Sequence, residues 1–160
     1  MKPALYDTIS LRCSKVVTTG YSTSFSLGIR TLASRHRSAI YAIYGFVRLA
    51  DEIVDTFFGH RQREMLERFR KDTAEAISEG VSPNPVLHSF QWAVNTYNID
   101  KEFIDAFLFS MEMDLEQKNH DRNSYDQYIY GSAEAVGLMC LRVFCQGEPQ
   151  RFDALREPAR

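Results

Sequence analysis

The sequence predicts an all-α fold for this chain of 160 residues. Glycine and proline are scarce and fall mostly between segments whose apolar residues recur every three or four positions, as they do along buried helix faces. No segment shows the strict alternation of a strand, and no repeat is present. Apolar residues make up 44% and charged residues 25%, a balance typical of globular proteins. We therefore expect one helical domain over residues 1–160, built from roughly six helices.

Helix boundaries are predicted from capping residues, glycine and proline. Ser34 is a suitable N-cap for a long helix that Gly59 ends. The hydroxyl-rich residues 21–30 are expected to be only partly helical, and residues 119–123 to form a polar loop. The expected helices span residues 4–17, 35–58 and 61–79, a segment from Pro85 to residue 96, a segment capped by Asp100 that reaches Leu115, residues 125–144, and a shorter helix around 152–156.

Charge and cysteine content limit the classes of partner. Nineteen basic and twenty-one acidic residues give a net charge of −2, so the overall field offers no argument for nucleic acid binding. The N-terminus lacks the apolar region of a signal peptide, and the apolar, low-charge stretch at residues 38–47 is too short to span a bilayer. Three cysteines form no C-x-x-C pair, which predicts free thiols and a cytoplasmic location.

One predicted helix combines an apolar surface with a polar stripe. Residues 39–55 are apolar on nearly every side, which is typical of a helix in the middle of its protein. The polar residues Tyr44, Arg48, Asp51 and Asp55 follow one another at intervals of four, three and four positions. These intervals place all four side chains on one narrow face of the helix.

Two carboxylates one helical turn apart repel each other, and partial burial makes the repulsion larger. A divalent cation between Asp51 and Asp55 would remove that cost. Mg²⁺ suits such a pair because it is bound by one or two carboxylates together with substrate phosphates, and the planar guanidinium of Arg48 suits phosphate oxygens. The alternative is a surface ion-pair ladder in which Arg48 pairs with Glu52 and the aspartates face water; the pattern alone leaves both open.

Three blocks of the sequence resemble the squalene/phytoene synthase family. They are YSTSFS at residues 21–26, YGFVRLADEIVD at 44–55 and YIYGSAEAVG at 128–137. Their order and spacing match the family, the likeness runs over essentially the whole chain, and it is closer to bacterial phytoene synthases than to squalene synthases. The resemblance implies an isoprenoid-synthase-type helical bundle with a central cavity. It also implies head-to-head condensation of two prenyl diphosphates, geranylgeranyl or farnesyl, through a cyclopropylcarbinyl diphosphate intermediate.

The resemblance assigns roles to individual residues. Asp51 and Asp55 match the family's first aspartate-rich motif, which binds Mg²⁺, and Asp114 lies where the family often has an acidic residue facing the cavity. Two departures occur, because the family often has histidine at the position of Tyr21 and a basic residue at that of Thr23. Tyr130 matches a tyrosine linked to diphosphate departure, although a buried tyrosine bonded to a backbone carbonyl is the alternative. The remaining implied substrate contacts are Tyr21, Ser22, Thr23, Ser24, Phe25, Tyr44 and Arg48.

The family has a second aspartate-rich motif, and this sequence contains only the first. We therefore expect the N-terminal part of a longer prenyl-synthase domain, incomplete on its C-terminal side and inactive alone. Exposed apolar surface would then favour self-association. Peripheral contact with the inner face of the membrane is expected from an insoluble product. The alternatives are a non-catalytic relative that binds lipid or assists assembly, and a helical bundle without a ligand.

Overall fold

The computed structural model describes residues 4–116 and 122–158, and all regular structure in this part of the chain is helical. This confirms the predicted all-α class. A π-helical turn of five residues joins the seventh helix to the eighth. The helices are α1 (Leu5–Tyr21), α2 (Thr23–Thr31), α3 (Ser34–Asp55), α4 (Gln62–Glu79), α5 (Pro85–Tyr97), α6 (Lys101–Glu116), α7 (Arg122–Ile129), α8 (Ala135–Phe144) and α9 (Pro149–Arg156), with the π turn at Tyr130–Glu134.

Helix α3 lies at the centre of the bundle, as its apolar sequence predicts. It contacts α1, α2, α4, α5, α6 and α8. Phe46 is fully buried, and its ring stacks on Phe90 with the centroids 3.8 Å apart and also contacts Phe69 and Phe107. Burying one such ring stabilises the fold by about 1.5–3 kcal/mol. This aromatic cluster fixes α3 against α4, α5 and α6 and so fixes the direction of its polar stripe.

A glycine in the middle of α3 allows α1 to approach closely. A Cβ atom at Gly45 would lie 2.8 Å from Ser14 Oγ and 2.9 Å from Ser14 Cβ. The Ser14 hydroxyl is buried and makes a hydrogen bond of 2.6 Å with the hydroxyl of Ser89 on α5. Three helices therefore meet at one tight contact, which only a residue without a side chain permits at position 45.

The predicted single helix over residues 125–144 is wrong in one respect, since the π turn interrupts it. Gly131, in that turn, packs so closely on α6 that a Cβ atom would clash with the carbonyl oxygen of Ala106 and lie 2.8 Å from Ser110 Cβ. Such turns insert one extra residue into a helix and are common near functional sites. The interruption lets the chain pass α6 at this close contact.

Helix boundaries near the polar stripe also differ from prediction. Residues 23–31 are fully helical rather than partly so, because the Ser22 side chain accepts a hydrogen bond from Phe25 N and caps α2. Helix α3 ends at Asp55 instead of residue 58, since Gln62 Nε2 donates to the carbonyls of Ile53 and Val54. Ala33, not Ser34, occupies the N-cap of α3.

The later boundaries follow the prediction more closely. Asp100 precedes α6 as expected, and its carboxylate accepts hydrogen bonds of 2.7 and 3.0 Å from Arg142. Residues 122 and 123 of the predicted polar loop belong to α7, and residues 119–121 lie outside the described part of the chain. The three cysteines are free; Cys145 is buried, whereas Cys13 and Cys140 are half-buried. Among the described residues, no helix has the length and apolarity needed to cross a bilayer.

Candidate functional site

The second half of α3 carries the polar stripe that the sequence predicts. Tyr44, Arg48 and Asp51 are half-buried, and Asp55, at the last residue of the helix, is exposed. The Arg48 and Asp51 side chains retain 23% and 26% of their exposure. The stripe thus runs from the half-buried middle of α3 to its exposed last residue.

Arg48 is held by several neighbours but keeps one open donor. Its Nη2 donates to Glu52 Oε1 at 2.6 Å, its Nη1 lies 3.6 Å from Asp51 Oδ2, and its guanidinium lies over the Tyr21 ring at 4.4 Å. The pairing with Glu52 is the contact that the ion-pair alternative predicted. Arg48 Nε, however, is buried and has no hydrogen-bond partner in the described residues. An orphaned buried N–H is costly, and an oxygen of an anionic ligand would satisfy it.

Asp51 does not face open water, in contrast to the second half of that alternative. Burial raises the pKa of Asp51 to about 6; the charge of Arg48 opposes this shift, and the charges of Asp55 and Asp114 add to it. Tyr128 completes the group, since its hydroxyl donates to Asp114 Oδ2 at 3.3 Å. Burial and the charges of the same three carboxylates raise the pKa of Tyr128. Helices α3 and α6 therefore bring mutually repelling carboxylates into one region, to which α7 adds the Tyr128 hydroxyl.

This donor set fits a magnesium ion only partly. Among residues 4–116 and 122–158, no group of three or more His, Cys, Asp or Glu side chains converges closely enough to hold a metal ion. Asp51 and Asp55 nevertheless offer two hard oxygen donors at adjacent turns of one helix, and burial, with a smaller contribution from the neighbouring carboxylates, raises the pKa of Asp51. Mg²⁺ is usually bound by one or two protein carboxylates together with substrate phosphates. Asp51 and Asp55 could supply those carboxylates.

The hydroxyl-rich segment lies beside the stripe. Phe25 stacks on Tyr44 with the ring centroids 4.4 Å apart, although 41% of Phe25 stays exposed. Tyr21 ends α1 against Arg48, and partial desolvation together with Glu52 raises its pKa. Ser22 is used to cap α2, whereas the side chains of Thr23 and Ser24 in its first turn are exposed. The structure thus places the first and last residues of this predicted substrate segment against Arg48 and Tyr44, respectively.

Tyr130 lies in a different setting from Tyr128. It is half-buried and lines a groove of about 650 Å³ with Ala106, Phe109 and Tyr125. The walls of that groove include Glu134 and Asp126 but neither Asp51 nor Asp55. The predicted role of Tyr130 in diphosphate departure therefore stays a prediction. The tyrosine that forms a hydrogen bond with one of the clustered carboxylates is Tyr128, through Asp114.

Sequence reasoning named the Arg48–Glu52 pair only within the ion-pair alternative, from the one-turn spacing that favours ion pairs. It assigned no role to Tyr128. Tyr128 gave no such signal. It meets Asp114 across two helices, and only the packing of α7 on α6 brings the two side chains together.

The fold is that of isoprenoid-synthase-type helical proteins. A dehydrosqualene synthase crystal structure superposes with a TM-score of 0.79 at 22% sequence identity, over 96% of this chain and 52% of that one. A squalene synthase from Alicyclobacillus acidocaldarius superposes with a TM-score of 0.81 at 19% identity, over 94% of this chain and 57% of that one. At these identities the likeness shows the fold.

A model of the squalene/phytoene synthase family matches residues 18–160, and the chain belongs to this family. It is 34% identical over 128 residues to a presqualene diphosphate synthase from Sinorhizobium fredii, covering 79% of this chain and 46% of that protein. A presqualene diphosphate synthase from Rhodopseudomonas palustris is 32% identical over 124 residues (76% and 44%), and a phytoene synthase from Arthrospira platensis is 28% identical over 144 residues (88% and 46%).

The chain thus spans about half the length of the curated relatives it matches. The chain is 32% and 34% identical to the two presqualene diphosphate synthases and 28% identical to the phytoene synthase. The family expectation is confirmed, and the finer likeness to bacterial phytoene synthases stays a prediction.

Proposed function

We propose that this chain supplies the first diphosphate-binding half of a head-to-head prenyl transferase of the phytoene/squalene synthase type. One observation on α3 carries the proposal. The buried Nε of Arg48 has no hydrogen-bond partner among the described residues, and the same stretch of helix holds the mutually repelling carboxylates of Asp51 and Asp55. An arginine donor and a metal-binding carboxylate pair together match a diphosphate group, which carries several negative charges and needs both.

The reaction proposed is the condensation of two prenyl diphosphates, farnesyl or geranylgeranyl. The allylic C–O bond of one substrate breaks and releases diphosphate, the resulting carbocation is attacked by the double bond of the second substrate, and loss of a proton closes the cyclopropane ring. Arg48 stabilises the charge that develops on the leaving diphosphate. The stacked rings of Phe25 and Tyr44 shield the cation from water and offer their π faces to it.

Asp51 and Asp55 would hold Mg²⁺ on this half of the site. When bound, the metal supplies positive charge to the diphosphate oxygens. The protein's own part is to bind and orient: Arg48 is aligned by Glu52 and by the Tyr21 ring, so its free Nε faces a defined direction. Tyr130 as a hydrogen-bond donor to the departing oxygen belongs to the same proposal.

Two further parts of the proposal concern completeness and partners. One carboxylate pair holds too few metal ions for two diphosphates, so we expect no turnover from these 160 residues alone. Apolar side chains on the surface, among them Leu5 at 77% and Phe58 at 72% exposure, would favour self-association and peripheral contact with a membrane. Size-exclusion chromatography at several protein concentrations tests the proposed self-association.

Calorimetry with a non-hydrolysable farnesyl diphosphate analogue tests the binding proposal. We expect Mg²⁺ to strengthen binding of the analogue to the chain, and Asp51→Ala to weaken the magnesium-dependent binding at least tenfold. Asp72→Ala is the matched control, since it removes an exposed carboxylate on α4 that is not part of the stripe.

If Asp51→Ala and Asp72→Ala weaken magnesium-dependent binding equally, the loss reflects only the change in net charge, and the proposal is overturned. Binding of the analogue that responds neither to Mg²⁺ nor to Asp51→Ala would instead support the non-catalytic, lipid-binding alternative. A geranylgeranyl analogue measured in parallel indicates which chain length this half of the site prefers.

A further inference from the structure

The near-neutral net charge hides a strong separation of charge along the sequence. Residues 8–50 contain six Lys or Arg residues and no Asp or Glu, whereas residues 51–160 contain twelve basic and twenty acidic residues. A count over the whole chain averages these two regions to −2. The first region folds into α1, α2 and most of α3, which pack against one another, and four of its six cations line one side of this group of helices.

A groove lies on that side, between α1, α2 and the start of α3. Its volume is about 600 Å³. Four of its lining residues are cationic, five carry hydroxyl groups and one is apolar; none is acidic. The cationic residues are Arg12, Lys15, Arg30 and Arg37, the hydroxyl residues are Thr8, Thr19, Ser34, Ser38 and Tyr41, and the apolar residue is Leu11.

The four cations have no acidic partner within the described residues, where every ion pair found involves other basic groups. Arg37 donates its Nε to the Leu32 carbonyl at 2.8 Å, and Lys15 lies over the Tyr41 ring at 5.7 Å. These contacts hold two of the cations at the groove without neutralising them. Elsewhere on the surface, arginines such as Arg61 and Arg63 do pair with glutamates.

The beginning of α3 adds to the positive potential. Its N-cap, Ala33, has no side chain that could accept from the first backbone N–H groups. These groups carry the positive end of the helix dipole, and Ser34, Arg37 and Ser38 of the first turns line the groove. Cations, hydroxyl donors and an uncapped helix terminus therefore converge on one cavity.

We propose that this groove is a second anion-binding site, separate from the aspartate stripe, which takes a phosphate group bearing at least two negative charges. Charge-assisted hydrogen bonds from arginine and lysine, supported by hydroxyl donors, are the chemistry by which proteins bind phosphate. The site needs no metal, since its lining contains no carboxylate. In this it differs from the stripe, where diphosphate binding depends on a divalent cation.

Two sources of such a phosphate are consistent with the groove, a free anion such as diphosphate and the headgroup of an anionic lipid. The exposed apolar side chains of Ile9 and Val16 lie on α1, which also supplies Arg12 and Lys15 to the groove. The experiment therefore has a soluble arm and a vesicle arm.

The soluble arm is calorimetry with inorganic diphosphate in the presence of a chelator, on the whole chain. The vesicle arm is flotation with vesicles that contain phosphatidic acid, compared with vesicles of phosphatidylcholine alone. The test variant is Arg12→Gln with Arg30→Gln, because both side chains are exposed and neither takes part in an ion pair among the described residues. We expect this double variant to weaken metal-free binding at least tenfold in whichever arm shows it, and binding to fall as salt increases.

The control is Arg68→Gln with Lys71→Gln, two exposed cations on α4, which removes the same charge outside the groove. Binding in the soluble arm supports a free phosphate, and binding to phosphatidic acid vesicles alone supports a headgroup. No binding in either arm, or an equal loss in the test and control variants, overturns the proposal.

Discussion

The two ends of α3 carry opposite arrangements of charge. At its beginning, Arg37 faces a groove whose four cations lack a carboxylate partner among the described residues. At its end, Arg48 is shared between Glu52 and Asp51, while Asp55 and Asp114 crowd the same region. The beginning of the helix therefore has positive charge that no carboxylate neutralises. Its end has more carboxylates than Arg48 alone can neutralise. We interpret the first as a site for an anion alone and the second as a site for an anion that arrives with a cation.

This comparison shows that net charge is a poor guide to ligands in a protein of mixed composition. Isolated cations near water cost little, but half-buried carboxylates that repel one another lower stability until something compensates them. The acidic end should thus respond to pH and to Mg²⁺, and the basic end to salt and phosphate. The following changes test that contrast.

The largest effect is expected from Gly131→Ala. The added methyl group would clash with the Ala106 carbonyl oxygen, so α6 and the π turn must separate, at a cost of about 3 kcal/mol or more in the free energy of unfolding. The variant should disturb the region of Tyr128 and Asp114 and spare the basic groove. Urea unfolding measures the loss, and metal-free diphosphate binding checks the groove.

Gly137→Ala is the matched control in α8. A Cβ atom there meets no atom within 4 Å, and alanine favours a helix over glycine by about 0.5–1 kcal/mol. This control should therefore be neutral or slightly stabilising. Equal losses of stability in the two variants would contradict the close contact at Gly131.

Asp51→Asn should produce the next largest effect. Because the pKa of Asp51 is raised to about 6 in the folded state, the folded protein holds this proton more tightly than the unfolded one, and stability falls as pH rises from about 4 through 6. Asparagine removes that loss. Allowing for the partial exposure of Asp51, the variant should be more stable than the wild type by about 1–2 kcal/mol above pH 6 and nearly equal below pH 4.

Magnesium should reverse the order of these two proteins. Added Mg²⁺ binds the folded wild type and raises its stability at pH 7, and it should have little effect on Asp51→Asn. Thermal unfolding across pH, with and without the metal, gives the comparison. A wild type whose pH profile matches that of Asp51→Asn would show that the carboxylate is better solvated than its burial indicates.

Glu52→Gln should have a smaller effect, and it should strengthen the binding of the farnesyl analogue rather than weaken it. Glu52 accepts the shortest hydrogen bond of Arg48, at 2.6 Å, and so competes with ligand oxygens for the guanidinium. Its neutral analogue should bind the farnesyl analogue about two- to fivefold more tightly, whereas Arg48→Gln should weaken binding. Weaker binding by Glu52→Gln would show that Glu52 orients Arg48 more than it competes for it.

The smallest effect is expected at Asp7, the one acidic residue in residues 4–50. Its carboxylate accepts a hydrogen bond of 2.7 Å from His88 Nε2, and this bond lowers its pKa. A lowered folded-state pKa means that the contribution is fully present above the ordinary pKa near 4 and is lost as pH falls from there through the lower folded-state pKa. Asp7→Asn should cost about 0.5 kcal/mol at pH 7, measured by urea unfolding, and nothing in strong acid. A cost that persists there would indicate a neutral contact.

The sequence predicted the central helix and its stripe because both depend on spacing along one helix. Residues 44, 48, 51 and 55 share a face of any α-helix, and the apolar residues around them require burial. The partners from other helices were not predictable in this way. Tyr128 reaches Asp114 only through the packing of α7 on α6, and the cations of the groove come from three different helices. The interruption at Gly131 was missed because a π turn depends on what the helix packs against.

By itself, the sequence determined the helical class, the family and the identity of the charged residues that face one another along α3. These depend on local periodicity and on motifs that are contiguous in the chain. Only the tertiary structure decided the electrostatic state of those residues, because burial and the distance to charges on other helices set it. The same Asp51 would be an ordinary carboxylate on an isolated helix, and the packed bundle raises its pKa to about 6.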